Sequence, residues 1–119
     1  MYFEFQNDRR QAWAPSVDVC ERPGEIVILV ELPGIARADV KLSWRDGVLT
    51  ISGQKRQQPD TGVAQYHCVE RTYGQFRRDI AISIRIEHDK ARAELRDGVM
   101  RIYLPKRPWK PESSEIPIT

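Results

Sequence analysis

Apolar and polar residues alternate along most of the chain from Val17 to Leu104, and the alternation is interrupted by Gly, Pro and Asp-Gly. A period of two is the spacing of a strand with one covered face; helical spacing is nearly absent. In "SVDVC", Val17 and Val19 share one face, and Asp18 and Cys20 the other. "ERPGE" reads as a turn, with Pro23 and Gly24 supplying the backbone restrictions. "IVILVEL" then places Ile26, Ile28, Val30 and Leu32 on one side and Val27 and Leu29 on the other. A strand apolar on both faces belongs inside a sandwich, and Pro33-Gly34 ends it.

The next feature is an internal echo. "LSWRDGVLTI" (42–51) and "AELRDGVMRI" (93–102) share Arg-Asp-Gly-Val followed by a matching Ile. Asp-Gly between alternating segments signals a two-residue hairpin, because both central residues of a type I′ turn need positive φ. The first turn then predicts Arg45 opposite Val48, Trp44 opposite Leu49 and Leu42 opposite Ile51. The second predicts Leu95 opposite Met100 and Ala93 opposite Ile102. Each register sorts apolar residues onto one face, as a specified register should. Two copies are too few for a solenoid, so the echo reads as convergent hairpin chemistry.

Between the hairpins, "FRRDIAISIRI" puts Phe76, Arg78, Ile80, Ile82, Ile84 and Ile86 on one face, with Arg78 the odd member. Such an arginine needs a carboxylate or an exit to solvent. "EHDKAR" at 87–92 predicts a helical turn. The expectation is an all-β, immunoglobulin-like β-sandwich of seven to nine strands. Two segments exceed its needs. The connection from Gln54 to Gln75 is 22 residues long, polar at first and strand-like at "QYHCVERTY", which suits pairing with another chain's sheet edge. The tail after Leu104 holds Pro105, Pro108, Pro111 and Pro117 of the eight prolines and ends on apolar "IPI". Extended, its 12 residues to Ile116 reach about 40 Å, far enough to meet another subunit.

Composition narrows the function. The 119 residues make one domain, and the longest apolar run, Ile26 to Val30, falls far short of a membrane-spanning helix. The N-terminus lacks the basic-then-apolar order of a signal peptide, so the expected location is the cytoplasm. Nineteen Lys and Arg against 17 acids are interspersed, with no concentrated patch for nucleic acid. Cys20, Cys68, His67 and His88 stand at no metal-ligand spacing. There is no phosphate loop, dinucleotide fingerprint, zinc-protease helix or nucleophile elbow. The reading is a non-enzyme without cofactor or metal.

The chain resembles the small heat-shock proteins, the α-crystallin-domain chaperones of bacterial and plant type. "VELPGI" (30–35), "DGVLTISG" (46–53), "ERTYGQFRR" (70–78) and "ARAELRDGVMRIYLPK" (91–106) follow the family's motifs in order. Ala93 to Met100 matches the signature A-x-x-x-[ND]-G-V-L, with Met in place of the usual Leu, and Ile116-Pro117-Ile118 matches the C-terminal I-x-I. The resemblance covers about residues 15–118. It implies an α-crystallin domain over 15–106, with 54–75 as a dimerisation loop carrying a swapped strand. A short aromatic arm (1–14) precedes it and an extended tail (107–119) follows.

By that resemblance the protein is an ATP-independent holdase that keeps partly unfolded clients soluble. It forms homodimers and higher homo-oligomers and needs no nucleic acid or membrane. The dimer interface would comprise Tyr66, His67, Cys68, Val69 and Glu70 of the loop, Arg78, and Val17 and Val19 of the partner's first strand. The tail's Ile116, Pro117 and Ile118 would enter a groove lined by Val40, Leu42, Trp44, Ala93 and Leu95. Tyr2, Phe3, Phe5 and Trp13 would either contact clients and neighbouring subunits or pack on the nearest sheet. The family's arm is typically longer than the 13 residues here, and its usual Pro after the Arg78 stretch is Ser83. A strand swap of suitable register would also bring Cys20 and the partner's Cys68 within disulfide reach, against two reduced thiols in a reducing compartment. The rival reading is a CS-type co-chaperone or scaffold on the same sandwich, which lacks the swapped strand and the I-x-I tail.

Overall fold

The computed structural model describes residues 13–57, 62–108 and 113–119. Seven strands appear: β1 (Val17–Glu21), β2 (Glu25–Glu31), β3 (Val40–Arg45), β4 (Val48–Lys55), β5 (Gly74–Ala81), β6 (Arg92–Arg96) and β7 (Val99–Pro105). They form two antiparallel sheets, ordered β1-β2-β7-β6 and β3-β4-β5. Ile28, Val30 and Ile102 from the first sheet, Leu32 just past β2, and Leu49, Ile51, Phe76 and Ile80 from the second sheet fill one shared interior.

Both Asp-Gly hairpins take the predicted registers. Trp44 faces Leu49 and Leu42 faces Ile51, while Leu95 faces Met100 and Ala93 faces Ile102. Asp46 and Gly47 have φ of 50° and 77°, and Asp97 and Gly98 have 53° and 75°, the left-handed pair that a type I′ turn demands. The turn before β2 closes with the Arg22 N–H donating to the Glu25 carbonyl at 2.8 Å. As expected for a strand covered on both faces, β2 lies between β1 and β7 and buries Val27 as well as Ile26, Ile28 and Val30.

Phe76 to Ile86 departs from a single continuous strand. β5 stops at Ala81, and the chain crosses to the other sheet, where Ile86 bridges Lys106. Ile80, Ile82 and Ile86 are nevertheless all buried. One interior serves both sheets, so the alternation persists through the crossing. The helical turn expected near 87–92 is a 3₁₀ turn at His88–Lys90.

Gly53 is fixed by contact. A Cβ there would collide with the Asp39 carbonyl oxygen and lie 2.7 Å from the Phe76 ring. The absence of a side chain lets the 3₁₀ turn at Arg37–Asp39 settle onto β4 just before β3 begins.

Candidate functional site

β3 and β6 are edge strands of the two sheets, and residues of both line a groove of about 210 Å³ between them. Leu42, Ser43 and Trp44 form one wall, and Ala91, Arg92 and Ala93 with His88 form the other. Leu49, Ile102 and Leu104 floor it. The floor follows from the hairpin registers, because Leu49 faces Trp44 and Ile102 faces Ala93. Three of the five residues expected in the groove, Leu42, Trp44 and Ala93, line it; Val40 and Leu95 do not, and pack against the main interior, as Leu42 and Trp44 also do. His88 and Arg92 also line it, and the apolar pattern gave no signal for them. They come from the 3₁₀ turn and the start of β6.

The tail motif is described and lies in solvent. Ile116 is 80% exposed and Ile118 97% exposed. Tyr66 and Val69 of the loop are also exposed, as are His67, Cys68 and Glu70. Residues 62–73 join no ladder among the described residues, so the strand-like stretch at 65–70 is not a strand within one chain. A strand needs a neighbouring edge to supply its hydrogen bonds. Such an edge is present on β1, which pairs only with β2 among the described residues. There Val17 and Val19 turn inward and are half-buried, while Asp18 and Cys20 are exposed.

Arg78 is half-buried on β5 opposite Ile51, the odd arginine in an apolar row. Trp13 packs on the sandwich. Its ring lies 4.9 Å from that of Phe76, its Nε1–H donates to the Gly74 carbonyl at 3.3 Å, and Lys55 sits over its face at 5.9 Å. Tyr2, Phe3 and Phe5 fall outside the described residues. Among the described residues no three His, Cys, Asp or Glu side chains cluster to hold a metal, and no helix is long and apolar enough to cross a membrane.

The described residues thus form a two-sheet sandwich with an apolar groove beside its edge strands, an edge of β1 that no described strand covers, and an exposed Ile-Pro-Ile tail. The chain belongs to the Hsp20/alpha crystallin family, whose sequence profile matches residues 18–119; it is a small heat-shock protein, of the chaperone class tied to the stress response. Small heat shock protein C2 of Rickettsia felis is 31% identical over 105 residues, covering 88% of this chain and 68% of that protein. Among solved structures, heat shock protein 16.0 from Schizosaccharomyces pombe is 32% identical with a TM-score of 0.73, and a small heat-shock protein from Xylella fastidiosa is 30% identical with a TM-score of 0.76. In each case 90% of this chain and 99% of the other is covered.

Proposed function

We propose that the chain is an ATP-independent holdase, assembled from strand-swapped homodimers that are tied together by tails seated in grooves. The observation that carries this reading is the coexistence, in one chain, of an apolar groove and two isoleucines left in solvent. Burying both isoleucines favours docking by roughly 3–6 kcal/mol gross, and ordering the tail removes several of those. A single tail contact is therefore weak, on the order of millimolar. Many such contacts in one assembly hold by effective concentration while individual tails exchange. A vacated groove presents apolar surface to a partly unfolded client.

The dimer follows the same logic. The loop strand at about 65–70 adds to the open edge of the partner's β1, near Val17 and Val19, with Arg78 supporting the contact. Phe3, Phe5, Tyr2 and Trp13 are assigned to client or assembly contacts, and for Trp13 this requires release from Phe76. The test is light scattering from a heat-aggregating model enzyme, without ATP, alongside the native mass of the same preparation. Suppression at near-stoichiometric ratios supports the holdase. No suppression from a correctly folded oligomer leaves a scaffold subunit instead. Replacing Ile116→Ala and Ile118→Ala together should reduce the assembly to dimers, and an unchanged native mass removes the tail from the mechanism.

A further inference from the structure

Trp13 stands where the loop ends and β1 is about to begin. Its Nε1–H donates to the carbonyl of Gly74 at 3.3 Å. β5 starts at Gly74, which the loop enters at a φ of 107°, a conformation left to glycine. Opposite Gly74 in the β4–β5 register is Lys55, whose ammonium lies 5.9 Å from the Trp13 ring. Two residues further along β5, Phe76 meets the same ring at 4.9 Å, and its backbone bridges that of Trp13. The end of the loop packs close by. The Arg71 guanidinium sits over Tyr73 at 5.3 Å, and a Cβ on Gly34 would lie 3.8 Å from its Nη2 and 3.6 Å from the Lys55 Cε.

From Trp13 the chain crosses to the other sheet within a few residues. Pro15 is fully buried, the Ser16 carbonyl accepts the Glu31 N–H at 3.1 Å, and β1 begins at Val17. One seated indole therefore fixes both the exit of the loop and the start of β1, the strand whose open edge would receive a partner's loop.

We propose that Trp13 is a positioning residue for the dimer. Seated on Phe76, it holds the base of the loop in the direction from which residues 65–70 reach a partner's β1; unseated, it frees that base and loosens the dimer. The proposal rests on the strand-swap reading and adds its regulation. Ordering a loop opposes association, and a base fixed in advance leaves less to order. Because such coupling is reciprocal, a client segment that draws the ring off Phe76 also weakens the dimer.

The test uses the full chain carrying Ile116→Ala and Ile118→Ala, so that tails do not tie dimers into larger assemblies. Isotope-labelled and unlabelled preparations are mixed, and native mass spectrometry follows the appearance of mixed dimers. Trp13→Phe keeps a ring on Phe76 but removes the N–H, and should speed mixing about 2–10-fold, on the scale of one hydrogen bond. Trp13→Ala removes the ring as well and should speed it further. Ile102→Val controls for stability alone. It trims the interior on β7, outside the loop and β1, and should lower resistance to denaturant while leaving mixing within about 2-fold of the parent. Unchanged mixing with Trp13→Ala overturns the proposal. So does a gain no larger than that of Ile102→Val, which would make Trp13 an ordinary stability contact. If the parent is monomeric at every concentration, the swap beneath the proposal falls with it.

Discussion

The β3-β4-β5 sheet and the β6-β7-β2 part of the other sheet are two versions of one three-stranded unit. Each has an Asp-Gly hairpin whose inner strand, β4 or β7, pairs on its far side with a third strand. In both, the turn glycine's carbonyl accepts an N–H from the residue just past that third strand: Ile82 to Gly47 at 2.8 Å, and Leu32 to Gly98 at 2.7 Å. The side chains differ at matched positions. Ile51 faces Arg78 where Ile102 faces Ile28, and Gly53 faces Phe76 where Leu104 faces Ile26. On the outer strands, Leu42 and Trp44 of β3 correspond to the smaller Ala93 and Leu95 of β6. The backbone plan is shared, and side-chain volume decides what each unit does. Large against small fills the interior at Phe76 and Gly53, while Ala93 on an edge strand leaves the groove open beside it.

If the two units contribute equally to one interior, their matched isoleucines should be equally costly to truncate. Ile51 is fully buried and Ile102 is 2% exposed. Ile51→Ala and Ile102→Ala should each destabilise the domain by about 2–5 kcal/mol in denaturant titration. A large cost at one position and a small cost at the other would show that one sheet carries the fold and the other rests on it.

The same comparison explains what the sequence disclosed. The hairpins were legible to the residue because Asp-Gly fixes the loop and alternation fixes the face, and both signals are local. The end of β5 was not, because Ile82 and Ile86 stay apolar while the chain changes sheets. Leu42, Trp44 and Ala93 of the groove came from family motifs. Its floor could have been read from Leu49 and Ile102, their cross-strand partners. Arg92 and His88 gave no signal, since an exposed polar residue at or beside a turn has no period. The stretch at 65–70 has strand composition, yet it joins no ladder among the described residues, because composition alone does not supply the neighbouring edge a strand needs.

The groove gives the next break of symmetry. Ala93→Leu would make β6 match Leu42 of β3 and place a large side chain into the space above Ile102. Ala93 is exposed, so the domain should lose less than about 1 kcal/mol of stability. On the proposed tail-in-groove docking, affinity for a peptide of residues 113–119 should fall by roughly 10-fold, because a filled groove would no longer admit the isoleucines. A variant that binds the peptide as tightly as the parent would move the tail site away from Ala93.

The smallest effect separates the two turns themselves. Gly47 and Gly98 have nearly the same positive φ, 77° and 75°, so alanine meets similar left-handed strain at both, about 1–2 kcal/mol. Their surroundings differ. A Cβ on Gly47 has the Ile82 carbonyl oxygen as its nearest neighbour at 3.5 Å, ordinary contact, whereas one on Gly98 comes within 3.3 Å of the Pro33 Cα. That backbone is tied to the turn by the bond from Leu32 to Gly98 and has little room to give. Gly98→Ala should therefore cost several tenths of a kcal/mol more than Gly47→Ala, on the scale of a strained surface substitution. Matched thermal melts of the two variants read the difference. Equal costs would mean that turn strain alone governs both hairpins and that the Pro33 segment relaxes away, in which case the end of β2 is the softer joint of the sandwich.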